Sequence, residues 1–330
     1  MHKLFPYVCS LLESLSSINW EKPQMMIPPR ERKPRQKRIT GFLIRQLFLM
    51  LLATASIQAQ VTLSDWTQIQ IPPELTGDQF SPTRMAVNSF GDLYLLDEEM
   101  SLIARLPADG DNVRIAGGWG ETDELFTSGS DLTAAPGLDV LIVDSDTHRL
   151  LKFDRQLNFL EELNLLSTDR QVEFPSAVVR NHAGEVLVAS DSADALTLMS
   201  MGGTVISVMG GENYGADRFV DINSVAINSI NEIGLIDSDD RYLVLSRNGR
   251  MLWRGSLNME LKFIESTGNE WLVGTAKGEF FFVGQDSQAE VLQESLTQWT
   301  VSDMAVGNDT VYILEEGSGH IFQAQLRYAE

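Results

Sequence analysis

A short apolar strand with a polar end recurs six times along the chain, and a repeat of this kind restricts the fold more than any single motif does. The copies are Leu93–Asp97, Val140–Asp144, Val186–Ser190, Ile233–Asp237, Glu270–Gly274 and Thr310–Glu315. Their last residues are spaced by 47, 46, 47, 37 and 41 positions, so each unit is a small supersecondary structure. Apolar strands precede each copy, at 83–88, 132–135, 176–180, 224–228, 261–265 and 302–307. Others follow, at 102–106, 150–153, 195–199, 242–245, 280–283 and 321–325. Hairpin residues such as Asn248-Gly249 and Gly202-Gly203 then introduce a fourth strand.

Four short antiparallel strands at a period near forty residues are the pattern of a β-propeller blade. The fold class expected is therefore all-β, a six-bladed β-propeller with four-stranded blades. After Gln60 no ten-residue stretch keeps a helical period, which excludes a solenoid of helix pairs. The strand at 61–71 belongs to no complete unit, and the last unit stops soon after its third strand. The former is expected to supply the outer strand of the latter and close the ring, because a free edge invites pairing with other chains.

Charge and hydropathy separate the first 59 residues from the rest. Residues 1–59 hold 9 Lys/Arg against 3 Asp/Glu, whereas 60–330 hold 16 against 43, a net charge of −27. Arg30, Arg32, Lys33, Arg35, Lys37 and Arg38 precede an apolar run from Leu47 to Ala53, and Ile57-Gln58-Ala59 offers a small residue for cleavage before Gln60. This order is that of a secretory signal peptide, with translation starting at Met1, Met25 or Met26. The apolar run is short for a membrane span of about 20 residues, so no stable insertion is expected after cleavage. The domain reading is an N-terminal extension and signal peptide over 1–59 and one propeller over 60–330, exported to the periplasm or beyond. The acidic body repels phosphate backbones, which argues against nucleic acid as a partner. Cys9 is the only cysteine and falls before the cut, so the mature chain has no disulfide, thiolate nucleophile or cysteine-ligated zinc.

Residues 117–126, Gly-Gly-Trp-Gly-Glu-Thr-Asp-Glu-Leu-Phe, followed by Val143-Asp144-Ser145-Asp146-Thr147-His148-Arg149-Leu150, resemble the NHL repeat. The glycine-rich entry returns in weaker form at 210–219 and, as its tail alone, at 77–80. The resemblance implies a six-bladed exported propeller. His148 stands near the family's Asn-His, with Arg149 in place of the residue that follows, and at a strand end it reads as a turn residue. Asp144-Ser145-Asp146 and Asp237-Ser238-Asp239-Asp240 lack the Gly and distant Glu of an EF-hand, so no metal ligand is assigned there.

Polar residues near the starts of the innermost strands should line the channel: Arg84, Asp131, Ser176, Asn223, Lys262 and Asp303. They mix both charges and present no nucleophile beside a base. The aromatics Trp119, Tyr214 and Trp299 lie at blade connections and are candidate surface contacts. The expected function is a noncatalytic propeller binding a protein or glycan partner, without a cofactor. The alternative is a lactonase-like metal-dependent hydrolase or lyase with a divalent cation in the channel, a chemistry some six-bladed propellers carry. Its mark would be carboxylates converging from three or more blades.

Overall fold

The computed structural model describes residues 61–328 except 76–79, 111, 122–123, 135–137, 212–217, 239, 294–295 and 297–298. Strands β1 (Val61–Leu63) and β2 (Thr67–Gln68) come first. Blade 1 consists of β3 (Arg84–Val87), β4 (Leu93–Asp97), β5 (Leu102–Leu106) and β6 (Arg114–Gly117). Blade 2 has β7 (Gly129–Thr133), β8 (Val140–Asp144), β9 (Arg149–Phe153) and β10 (Phe159–Asn164). Blade 3 has β11 (Pro175–Arg180), β12 (Val186–Ser190), β13 (Ala195–Met199) and β14 (Val205–Gly210). Blade 4 has β15 (Ile222–Ile227), β16 (Ile233–Asp237), β17 (Arg241–Leu245) and β18 (Met251–Ser256). Blade 5 has β19 (Phe263–Thr267), β20 (Glu270–Gly274), β21 (Phe280–Val283) and β22 (Ala289–Gln293). Blade 6 has β23 (Val301–Gly307), β24 (Thr310–Glu315) and β25 (Ile321–Tyr328).

Every pairing is antiparallel between strands adjacent in sequence, except where β1 and β2 both pair with β25. Val61 lies opposite Tyr328 and Thr67 opposite Gln323, so the start of the propeller supplies the outer strand of its last blade, as expected. The first strands of consecutive blades pack side by side, and β23 returns to β3 to complete the ring.

The second strands β4, β8, β12 and β16 are buried along their whole length. Blades cover both of their faces, and this is why they read as continuous apolar runs rather than alternating ones. Apolar clusters fill the space between blades: Tyr94, Leu96 and Ile103 of blade 1 meet Ile142, Leu151 and Phe153 of blade 2.

Three inner hairpins share one device. The side-chain oxygens of Asn88, Asn181 and Asn228 accept amide hydrogens two and four residues ahead, which shapes an Asx turn. The polar residues that end the second strands tie down the chain arriving from the previous blade. Asp97 accepts the amide of Ser81, Asp144 those of Thr127 and Ser128, and Ser190 donates to the Glu173 carbonyl. Asp144 also accepts from Thr147 and Arg149, so the calcium-like run is a satisfied turn. Three first strands are displaced from expectation, β7 and β15 toward their N-terminal side and β19 toward its C-terminal side, and the shift of β19 alters the channel.

Candidate functional site

A cavity of about 420 Å³ is lined by the first strands of all six blades. Arg84, Asp131, Ser176, Asn223 and Asp303 stand on its wall, and Lys262 does not. Four first strands carry a bulge near their start, between Gly129 and Asp131, Pro175 and Ala177, Ile222 and Ser224, and Val301 and Asp303. Strands β3 and β19 have none, and in β19 Phe263 pairs directly with Gly274, the Lys262 amide bonds the Gly274 carbonyl, and the Lys262 side chain is exposed. The charged residue that blade 5 contributes to the channel is Glu265. Blade 5 is also the unit with the shortest spacing, the one sequence signal that its register differs.

The residue after the bulge reaches into the next blade. Asp131 accepts the amide of Val178 at 2.8 Å, the Ser224 hydroxyl accepts that of Ile264 at 3.1 Å, and Asp303 accepts that of Met85. These groups therefore join neighbouring blades as well as lining the cavity. Arg84 crosses in the same sense, its Nε donating to the Ser130 carbonyl and meeting Glu98 at 3.0 Å.

The channel is under-compensated in charge. Burial pushes the Asp131 carboxyl up to about 7 and the Asp303 carboxyl up to about 6, against the pull of Arg84. Burial, followed by the negative charges of Asp303 and Asp131, raises the Glu265 carboxyl well above the usual carboxylate range. Burial works against the charge of Arg84, but Asp303, Asp131 and Glu98 outweigh it and hold the guanidinium above its ordinary value. Arg84 thus serves Asp131 of blade 2, Asp303 of blade 6 and its own neighbour Glu98, and repulsion among the channel carboxylates adds to their desolvation.

Three of the serine hydroxyls on the wall are held by other groups, whereas that of Ser176 is buried without a hydrogen-bond partner among the described residues. The Ser224 hydroxyl accepts from a backbone amide, that of Ser266 donates to the Gly268 carbonyl, and that of Ser229 meets the Asn269 side chain. None of these three is set against a base. Among the described residues no three His, Cys, Asp or Glu side chains are grouped closely enough to hold a metal ion. His182 lies at the cavity's other end, near Arg180, whose guanidinium pairs with Asp139 at 2.9 Å. His148 sits in a turn at φ 53°; its Nδ1 accepts the Phe174 amide and its ring meets Phe174 edge-on at 4.7 Å. His320 bonds Glu315 at 3.0 Å.

The three aromatic candidates divide. Trp119 is 66% exposed on the connection between blades 1 and 2. Trp299 instead stacks on Phe322 with ring centroids 3.9 Å apart and belongs to the apolar packing between blades 5 and 6. Its connection folds back onto blade 5, where the Val301 amide bonds the Ala276 carbonyl, and this turns the indole inward. Tyr214 lies outside the described residues.

No protein-family model matches the chain, and no curated protein matches it in sequence. Solved structures do match it in fold. A catalytically inactive virginiamycin B lyase from Staphylococcus aureus, with quinupristin, aligns over 81% of this chain and 100% of its own at 8% identity and a TM-score of 0.56. A streptogramin B lyase aligns over 81% and 98% at 10% identity and a TM-score of 0.54. The PQQ-bound aldose sugar dehydrogenase of Streptomyces coelicolor aligns over 82% and 100% at 10% identity and a TM-score of 0.56. The likeness is one of fold. The residues that set this chain's function are its own, since one propeller architecture hosts many activities.

Proposed function

We propose that this chain is an exported propeller that binds a protein or glycan partner without turning it over. The observation that carries the reading is the use made of the channel's polar groups. Asp131, Ser224 and Asp303 accept backbone amides from the next blade, and Arg84 is tied to Ser130 and Glu98, so the wall is a framework rather than a reacting set. Trp119, exposed beside the glycines of its connection, offers an aromatic anchor of the kind interfaces favour. Export rests on the order of basic, apolar and small residues before Gln60. Among the described residues no helix is long and apolar enough to cross a membrane.

A second reading, metal-dependent hydrolysis or elimination, is favoured by one feature: carboxylates from three blades, Asp131, Glu265 and Asp303, line the same cavity. They do not form a ligand group for one ion, so the fit to a metal is poor. Elemental analysis of the purified protein, with melts in calcium, zinc or EDTA, separates the two readings. The binding reading expects no stoichiometric metal and a melting temperature unmoved by these additions. A bound equivalent of metal, or an upward shift of several degrees, would overturn it in favour of the enzyme. A photo-crosslinker placed at Trp119 in producing cells should, on the binding reading, trap a discrete adduct.

A further inference from the structure

The end of the channel that holds the carboxylates has a resident cation on one side only. Blades follow one another round the ring, so blade 1 stands opposite blade 4, blade 2 opposite blade 5 and blade 3 opposite blade 6. Arg84 of blade 1 has Asp303 of blade 6 on one flank and Asp131 of blade 2 on the other, and both charges act on its guanidinium. Glu265 stands on blade 5, across the ring from Asp131. The charges that act on its carboxyl are those of Asp303 and Asp131, both of its own sign. Blades 3 and 4 add neutral polar groups to this side. The extra residues of the four bulged first strands are Ser130, Ser176, Asn223 and Ser302. Ser130 and Ser302 give their hydroxyls to carbonyls. The Ser176 hydroxyl is buried on the cavity wall and has no hydrogen-bond partner among the described residues, whereas buried polar groups ordinarily have one. Asn223, on the next blade, is exposed on the same wall.

We propose that the side of the channel away from Arg84 binds an aliphatic diamine as its dication, one ammonium group held by the Glu265 carboxylate, the Ser176 hydroxyl and the Asn223 side chain. Charge selects this chemistry. Three wall carboxylates against Arg84 leave two negative charges once all are ionised, and Arg180 at the other end is already paired with Asp139. An anion would meet those carboxylates. A divalent metal ion carries the right charge at a single point, but among the described residues no three such side chains are grouped to ligate it. Two ammonium groups on an alkyl chain spread the same charge along the wall, and each donates three hydrogen bonds and accepts none, as a carboxylate and a free hydroxyl oxygen require. Val225 and Met304 on the wall offer apolar surface to the chain between them. Burial raises the Glu265 carboxyl, so an arriving ammonium competes with a proton and its binding releases protons. This ligand is distinct from the partner proposed at Trp119, and either can fail without the other.

Calorimetric titration of the full purified protein with 1,4-diaminobutane, and with 1,4-butanediol as the uncharged chain, tests the site at about pH 6 and 8 in ~0.15 M salt. One equivalent of diamine should bind with a dissociation constant below about 1 mM, more tightly at the higher pH, and the diol should not bind. Heats measured in two buffers of unequal ionisation enthalpy should differ by the protons released. Glu265→Gln should weaken binding at least about tenfold and Ser176→Ala about threefold, while Glu290→Gln on β22 should leave it unchanged. If Glu265→Gln fails to fold, Ser176→Ala combined with Asn223→Ala takes its place. A protein that shows neither heat nor an upward melting shift with ~10 mM diamine at either pH would overturn the proposal. So would binding that is indifferent to the channel variants, which would mark a general attraction to the acidic surface, or binding that tightens as pH falls.

Discussion

Asp131 and Asp303 accept backbone hydrogen bonds that favour the ionised carboxylate, yet burial carries both upward, to about 7 and about 6. At these two positions the folded protein therefore binds more protons than the unfolded chain from about pH 4, where a free Asp titrates, to about 7 for Asp131 and about 6 for Asp303. Their contribution to stability is greatest below that window and falls as pH rises through it. Asp131→Asn keeps an oxygen for the Val178 amide and removes the charge. It should raise the melting temperature at pH 8 by a few degrees, at roughly 2–4 °C per kcal/mol for a domain of this size, and flatten the melting curve against pH between 5 and 8. A loss of stability in that variant would show that the ionised group is net favourable. Arg84, Asp131 and Asp303 were readable in the sequence because each stands just ahead of an apolar strand. Glu265 was not, since strand β19 starts two residues later than its apolar run, and register is a property of pairing rather than of one strand's composition.

At the scale of elements, the glycine-rich entry acquires a physical meaning. Gly117 and Gly210 each precede by nine residues a buried phenylalanine, Phe126 and Phe219. A Cβ on Gly117 would come within 2.7 Å of the Phe126 ring and 2.6 Å of the Ser101 carbonyl oxygen, at φ +92°. On Gly210 it would fall 2.3 Å from the Phe219 ring, at φ +83°. The aromatic rests on bare backbone where the chain leaves one blade for the next, so glycine is required by contact and by conformation together. Gly117→Ala should cost more than about 2 kcal/mol, seen as an earlier midpoint in denaturant with an unchanged slope. Second strands were legible because both faces are covered. Outer strands were harder, being half-exposed and bulged, and their rough ends in the sequence reflect weak burial rather than weak structure.

The propeller is held as a ring, and its seam lies in blade 6, where β1 and β2 join β25. Val61 is 4% exposed and packs with Phe282, Phe322 and Leu326. Val61→Asp puts a charge into that seam and should lower stability by about 2 kcal/mol or more. Amide exchange should then accelerate first in β25 and β24, and uniform acceleration over all blades would argue that the seam is no weaker than the rest. Closure was legible in advance because one strand was left over at the start of the repeat count and one was lacking at its end.

The same seam fixes an order in time. During synthesis β1 is made before the other described strands and is the last of them to find its partner, since β25 follows five other blades. Until then it is an unpaired strand beside a growing molecule, and a neighbouring chain at the same stage presents an identical one. Crowded production should therefore yield copies that have exchanged first strands, each ring completed by the other's beginning.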